Sequence, residues 1–142
     1  MIKRKEQVER YVSLMRIAIL DDDPRFSDRL YQKISTAVAK RDWALECQIF
    51  SHPQDLLNSD LGTLHAVFLD IDMPQMTGIQ AAQRVREALP DVGLVFVSSC
   101  ESMVFEAIKT TPLRFIRKAR LEEELEEAVT ALLNRYHSLK NY

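Results

Sequence analysis

Apolar and polar positions along this chain recur with two alternating periods, short apolar runs giving way to three- and four-residue spacings. Arg16–Leu20 is a short apolar run that ends in Asp21, Asp22, Asp23 and Pro24. Phe26, Leu30, Ile34, Ala37 and Val38 then repeat at helical spacing and predict a helix to about Lys40. Leu45–Phe50 reads as a half-polar strand, after which Ser51 caps a short helix with Pro53 in its first turn. Leu64–Leu69 is the most continuous apolar strand, and the helix that follows, from about Thr77 to Leu89, is stopped by Pro90. Gly93–Val97 reads as another buried strand and Glu101–Lys109 as a helix. Leu113–Lys118 alternates apolar and basic residues, as an edge strand does. Leu121, Leu125, Val129, Leu132 and Tyr136 line one face of a long final helix.

Five such βα units in about 125 residues imply a parallel sheet with helices on both faces and right-handed crossovers. Ligands of such sheets bind at the carboxyl ends of the strands, near the point where strand order reverses. Chemistry is therefore expected at the ends of the first, third, fourth and fifth strands.

Composition narrows the setting. A chain of 142 residues, 46% hydrophobic and 28% charged, suits one globular domain with its own core. A net charge of −2 excludes a broad electrostatic grip on nucleic acid by this segment. No apolar run approaches the roughly 20 residues that cross a bilayer, and MIKRKEQVER lacks the apolar centre of a signal peptide. Cys47 and Cys100 make no disulfide framework, so the expected location is the cytoplasm. Three glycines and five prolines leave no flexible linker, and no internal repeat is present. His52, His65 and His137 show no metal-ligand spacing, which excludes a zinc site of the usual kind.

The expected strand ends carry a particular set of groups. The first strand runs into Asp21-Asp22-Asp23, the third into Asp70, the fourth into Ser98-Ser99 and the fifth into Lys118. Carboxylates crowded on one edge do not all ionise without compensation. A hard divalent cation resolves that conflict, and Mg²⁺ favours one or two carboxylates, several waters and a phosphate oxygen. An amine and a hydroxyl remain to meet the other oxygens of a phosphoryl group. The set suits phosphoryl transfer onto an aspartate, giving an acyl phosphate.

The motifs ILDDDP, FLDIDMPQMTG, VFVSS and RFIRK stand in this order, and from Met15 to about Tyr136 the chain resembles the receiver domains of two-component response regulators. The resemblance implies a flavodoxin-like, CheY-like doubly wound sheet of five parallel strands in the order 2-1-3-4-5. It implies that Asp70 is the phosphoacceptor and that Mg²⁺, or another divalent cation such as Mn²⁺, is held by Asp21, Asp22, Asp70 and the backbone carbonyl of Asp72. Ser98 takes the place of the switch hydroxyl, Lys118 that of the phosphate-pairing lysine and Phe115 that of the switch aromatic. Met73-Pro74 and Gly78 match the turn into the third helix. One departure stands out: Ala119 follows Lys118 where the family usually has proline, often in a cis bond. A trans bond and a differently shaped loop are expected, since a non-proline cis bond costs about 2.5–4 kcal/mol.

PLRFIRKARLEEELEEAV further resembles the LytTR-type branch, whose members carry a C-terminal DNA-binding domain. The implied partners are a sensor histidine kinase, an output domain in cis, and a second copy of the chain in a homodimer. The chain ends at Tyr142, before such an output domain, so it reads as part of a longer regulator or as a stand-alone receiver. Residues 1–14 read as an upstream extension, in which Val8, Tyr11 and Val12, with Met15, space as a weak helical stripe; residues 15–142 form the receiver. No enzyme is expected beyond slow self-phosphorylation and self-dephosphorylation.

Plainer roles suit several of these residues. Asp21-Asp22-Asp23 before Pro24 also fits a helix N-terminus, where carboxylates favour the dipole. The Asp72 side chain suits a bond to its own turn, and Arg114, Arg117 and Arg120 suit a solvated or partner-facing edge. Glu122, Glu123, Glu124, Glu126 and Glu127 read as the wet face of an amphipathic helix. Two other functions use related residues. A pseudo-receiver would bind partners without phosphorylation. A phosphohydrolase of the haloacid-dehalogenase type would use the DxD of Asp70 and Asp72, but its nucleophile normally lies on the first strand.

Overall fold

The protein is described here by a computed structural model over residues 13–74 and 76–136. Its elements are β1 (Ser13–Leu20), α1 (Pro24–Ala39), β2 (Trp43–Phe50), α2 (Pro53–Leu57), β3 (Ala66–Leu69), α3 (Gly78–Ala88) and β4 (Gly93–Ser98). A 3₁₀ turn at Glu101–Met103 then leads into α4 (Val104–Ile108), β5 (Arg114–Arg117), a second 3₁₀ turn at Lys118–Arg120 and α5 (Leu121–Arg135). All strand pairs are parallel and the order is β2-β1-β3-β4-β5, the doubly wound arrangement expected.

Every residue of β3 and β4 is buried, which is why these two strands read as unbroken apolar runs. In β1 the two-residue period divides the core. Met15, Ile17 and Ile19 face α1 and α5, meeting Ile34, Leu125, Val129 and Leu132. Ala18 and Leu20 point to the other side and join Leu56, Val67, Leu69, Ile79, Val85, Phe96 and Ala107. Truncating one of these buried aliphatics to alanine costs about 2–5 kcal/mol, so each layer alone is decisive for folding.

The helices begin where local chemistry allows. Asp23 caps α1, its side chain accepting the Arg25 N–H at 3.0 Å, with Pro24 next in the chain. Thr77 and Gln80 form a reciprocal capping box at the start of α3.

Some boundaries differ from the sequence pattern. The N-cap of α2 is His52, without a side-chain cap bond, and not Ser51. Among the described residues β1 extends back to Ser13, because Ser13 and Leu14 continue the ladder opposite Trp43 and Ala44 of the eight-residue β2. Met15 is therefore a buried strand residue and no part of a helical stripe; Val8, Tyr11 and Val12 lie outside the described residues. β3 starts at Ala66 rather than Leu64. At His65 the main chain still donates to the Arg16 carbonyl at 2.8 Å, but the Arg16 N–H donates to the imidazole Nδ1 at 2.9 Å. A side chain thus replaces the last rung of the ladder. The segment from Glu101 to Lys109 is divided between a 3₁₀ turn and a five-residue α-helix.

Candidate functional site

The backbone places two acids side by side. The Asp21 N–H donates to the Phe50 carbonyl at 3.1 Å, one residue past the end of β1. The Asp70 N–H donates to the Leu20 carbonyl at 2.9 Å, one residue past β3. Both carboxylates are buried, whereas Asp22 is exposed at the rim. The loop after Asp70 is closed by Gly78, whose N–H donates to the Ile71 carbonyl at 3.0 Å. A Cβ at that glycine would stand 1.8 Å from the Asp70 carbonyl oxygen, so no side chain fits there. The need is for close approach, and it sets the shape of the turn that leaves the Asp70 side chain at the mouth.

Asp21, Asp22 and Asp70 each bring a carboxylate oxygen within 4.8 Å of the others. Lys118 reaches in from the end of β5, its Nζ 2.9 Å from Asp21 and 3.6 Å from Asp70. One ammonium among three acids leaves negative charge uncompensated, and two of the acids are shielded from water. Burial first, and then the neighbouring Asp21, push the Asp70 carboxyl up to about 6; Lys118 and the N–H groups of Asp72 and Ile71 pull it partly back. Hard oxygen donors with surplus negative charge fit a hard divalent cation. The third acid of the run is occupied elsewhere: Asp23 caps α1 and its N–H donates to Asp21 Oδ1 at 2.8 Å. The triple-aspartate run is therefore divided: Asp23 serves the helix N-terminus, while Asp21 and Asp22 stand with Asp70 in the acidic cluster.

The remaining expected residues fall into place unequally. Ser98 closes β4, the strand beside β3, and is fully buried; its Oγ accepts the Cys100 N–H at 3.0 Å. Asp72 is exposed, and at the site it acts on Asp70 through its backbone N–H, which favours the ionised carboxylate. Phe115 stands apart from the acids. It packs on Phe96 at 6.1 Å between centroids and lines a hollow of about 340 Å³ with Glu101, Val104, Arg117 and Glu124. No cis peptide occurs among the described residues, and Lys118–Ala119–Arg120 form a 3₁₀ turn. The lysine still meets both aspartates without a following proline.

Two participants escaped the sequence pattern. The Lys118 ammonium lies over the ring of Phe26, 4.3 Å from its centroid, although the spacing of Phe26 marks it only as a core position. Arg117 is no free edge residue: its backbone N–H and guanidinium both bind Glu124, the former at 2.8 Å, which removes that glutamate from the wet face of α5.

The model of the response regulator receiver domain family matches residues 17–130. The chain belongs to that family. Among curated relatives, this receiver is 30% identical to the response regulator protein TodT of Pseudomonas putida over 120 residues, covering 82% of the chain and 50% of TodT. It is 27% identical to the positive alginate biosynthesis regulatory protein of Pseudomonas aeruginosa, over 81% of the chain and 46% of that protein. The receiver thus spans about half the length of these relatives. Among solved structures, the response regulatory domain of mrkE from Klebsiella pneumoniae matches with a TM-score of 0.75 at 21% identity, covering 87% of the chain and 99% of that domain. TrrA from Thermotoga maritima, in complex with Mg²⁺ and BeF, matches with a TM-score of 0.69 at 21% identity, over 84% of the chain and 99% of TrrA. Among the described residues, no helix of the receiver is long and apolar enough to cross a membrane.

Proposed function

We propose that this receiver takes a phosphoryl group on Asp70 from the phosphohistidine of a sensor histidine kinase. The observation that carries the reading is the placement of the Asp70 carboxylate at the sheet edge, beside two further acids and under the Lys118 ammonium. In the transfer, an Asp70 carboxylate oxygen forms a bond to phosphorus and the phosphorus–nitrogen bond to the kinase imidazole breaks. The electron pair of that bond leaves on the imidazole nitrogen. Asp21, Asp22, Asp70 and the Asp72 carbonyl would hold Mg²⁺ or Mn²⁺. When bound, such a cation supplies positive charge to the phosphoryl oxygens and to the crowded carboxylates. Lys118 pairs with a further phosphoryl oxygen, and the Ser98 hydroxyl, whose proton is not used in its bond from Cys100, donates to another.

The added charge then biases the surface of α4, β5 and α5 toward one of two arrangements, with Phe115 moving relative to its hollow. That surface governs an output domain in cis. One curated relative, YxjL of Bacillus subtilis, is a transcriptional regulatory protein by name, and the LytTR-like basic strand and acidic helix favour a DNA-binding output of that type. The receiver is no turnover enzyme; it is modified once and loses the group slowly.

The test is to incubate the chain with Mg²⁺ and acetyl phosphate and weigh the intact protein. One phosphoryl group is expected on the wild type and none on Asp70→Asn. Equal labelling of the two proteins, or no labelling of the wild type, would refute the proposal.

A further inference from the structure

The lysine is the least constrained part of this site. Its four-carbon stem has many rotamers, and the residue after it is an exposed alanine in a 3₁₀ turn. Yet its ammonium is confined from two directions: by Asp21 and Asp70 at the strand ends, and by the Phe26 ring from the first turn of α1. Asp21 and Asp70 are also carboxylates that a divalent cation would take. Their hold on Lys118 weakens when that cation is present, while the ring face is no ligand for a hard ion. Phe26 is itself fixed, because Asp23 and Pro24 set the start of α1 and the side chain packs, partly buried, against the core under that helix.

We propose that Phe26 is a positioning residue for Lys118, its ring keeping the ammonium at the mouth of the site where a phosphoryl group on Asp70 will meet it. The proposal rests on Asp70 being the phosphoacceptor and Lys118 its counter-charge. A leucine at this position preserves the apolar contact with the core but presents no negative ring face, so the two roles of Phe26 can be separated. Tyrosine keeps both.

Three versions of the 142-residue chain test it: wild type, Phe26→Leu and Phe26→Tyr, with thermal melting used to match their folds. The direct readout is the NMR position of the Lys118 ε-methylene protons. In the wild type and in Phe26→Tyr they are expected upfield, shifted by the ring; in Phe26→Leu they return to the position of an ordinary lysine. The second readout is the rate of phosphoryl labelling with acetyl phosphate and Mg²⁺. Phe26→Leu is expected to be slower by about three- to tenfold, the range a single cation–π contact supports, and Phe26→Tyr to regain the wild-type rate. Unshifted lysine protons in the wild type, or wild-type labelling by Phe26→Leu, would overturn the proposal. A wild type that takes no label at all overturns the phosphoacceptor reading instead, and the ring shift still decides whether Phe26 holds Lys118.

Discussion

The two edges of the sheet treat polar groups in opposite ways. At the carboxyl edge, Asp21 and Asp70 are buried beside each other with one lysine between them, and Asp70 is held well above the ordinary carboxylate range. At the amino edge, polar groups meet partners. The Arg86 guanidinium donates to four carbonyls, those of Pro90 at 2.8 Å, Val92 at 2.7 Å, Thr111 at 3.0 Å and Thr110 at 3.3 Å. His65 binds Arg16 through both main chain and ring, and its carbonyl accepts from Gly93 N–H and Tyr136 Oη, each at 2.9 Å. This edge even holds Thr111, a β-branched residue, at φ 52°. The amino edge spends its polar groups on stability; the carboxyl edge keeps its own in conflict, a conflict that a hard divalent cation would relieve.

Breaking the satisfied edge should have the largest effect. Arg86→Met is expected to lower unfolding stability by about 2–3 kcal/mol in urea titrations, since several carbonyls lose their donor and Thr111 its anchor. Relieving the conflicted edge should act in reverse. A pKa of about 6 means that Asp70 destabilises the fold once ionised. Asp70→Asn should therefore gain roughly 1–2 kcal/mol at pH 7, after allowing for screening at the open mouth. The gain should vanish below pH 4, where Asp70 is protonated in folded and unfolded chains alike. Tyr136→Phe removes one hydrogen bond to the His65 carbonyl and should cost about 1 kcal/mol.

The smallest effect is a difference in pH slope. Burial and then Arg16 lower the His65 pKa, and a protonated Nδ1 cannot accept the Arg16 N–H. The folded chain then binds fewer protons at His65 than the unfolded one, so this contribution is present above about pH 6.5 and is lost as pH falls. Asp70 contributes with the opposite sign between about 4 and 6. Wild-type stability measured from pH 7.5 to 5 should reflect both slopes, and His65→Asn should remove the loss on the acid side.

Much of this could be read from residue order. The paired periods of 2 and 3.6 specify five strands and their helices, and the four motifs place Asp21, Asp22, Asp70, Ser98 and Lys118 at strand ends. What could not be read were contacts between groups distant in sequence whose chemistry is not distinctive. Phe26 lies on the same stripe as Leu30 and Ile34, and nothing in the pattern separates a core ring from one under an ammonium. Arg86 looks like any solvated helix residue until its four carbonyls, two of them beyond β4, are assembled around it. The start of β3 departs from the apolar pattern for a similar reason, because the imidazole of His65 imitates a backbone acceptor.

Helix α4 carries a last consequence. It has five residues, of which Ala107 is buried while Phe105 is 78% and Ile108 56% exposed. A helix that short cannot nucleate or sustain itself, and one alanine gives it little hold on the core. Its amide protons should therefore exchange with solvent through brief local openings that leave the sheet intact. Such a segment would open faster than the sheet beneath it, and a partner that reads it would meet an equilibrium between formed and frayed states rather than a fixed shape.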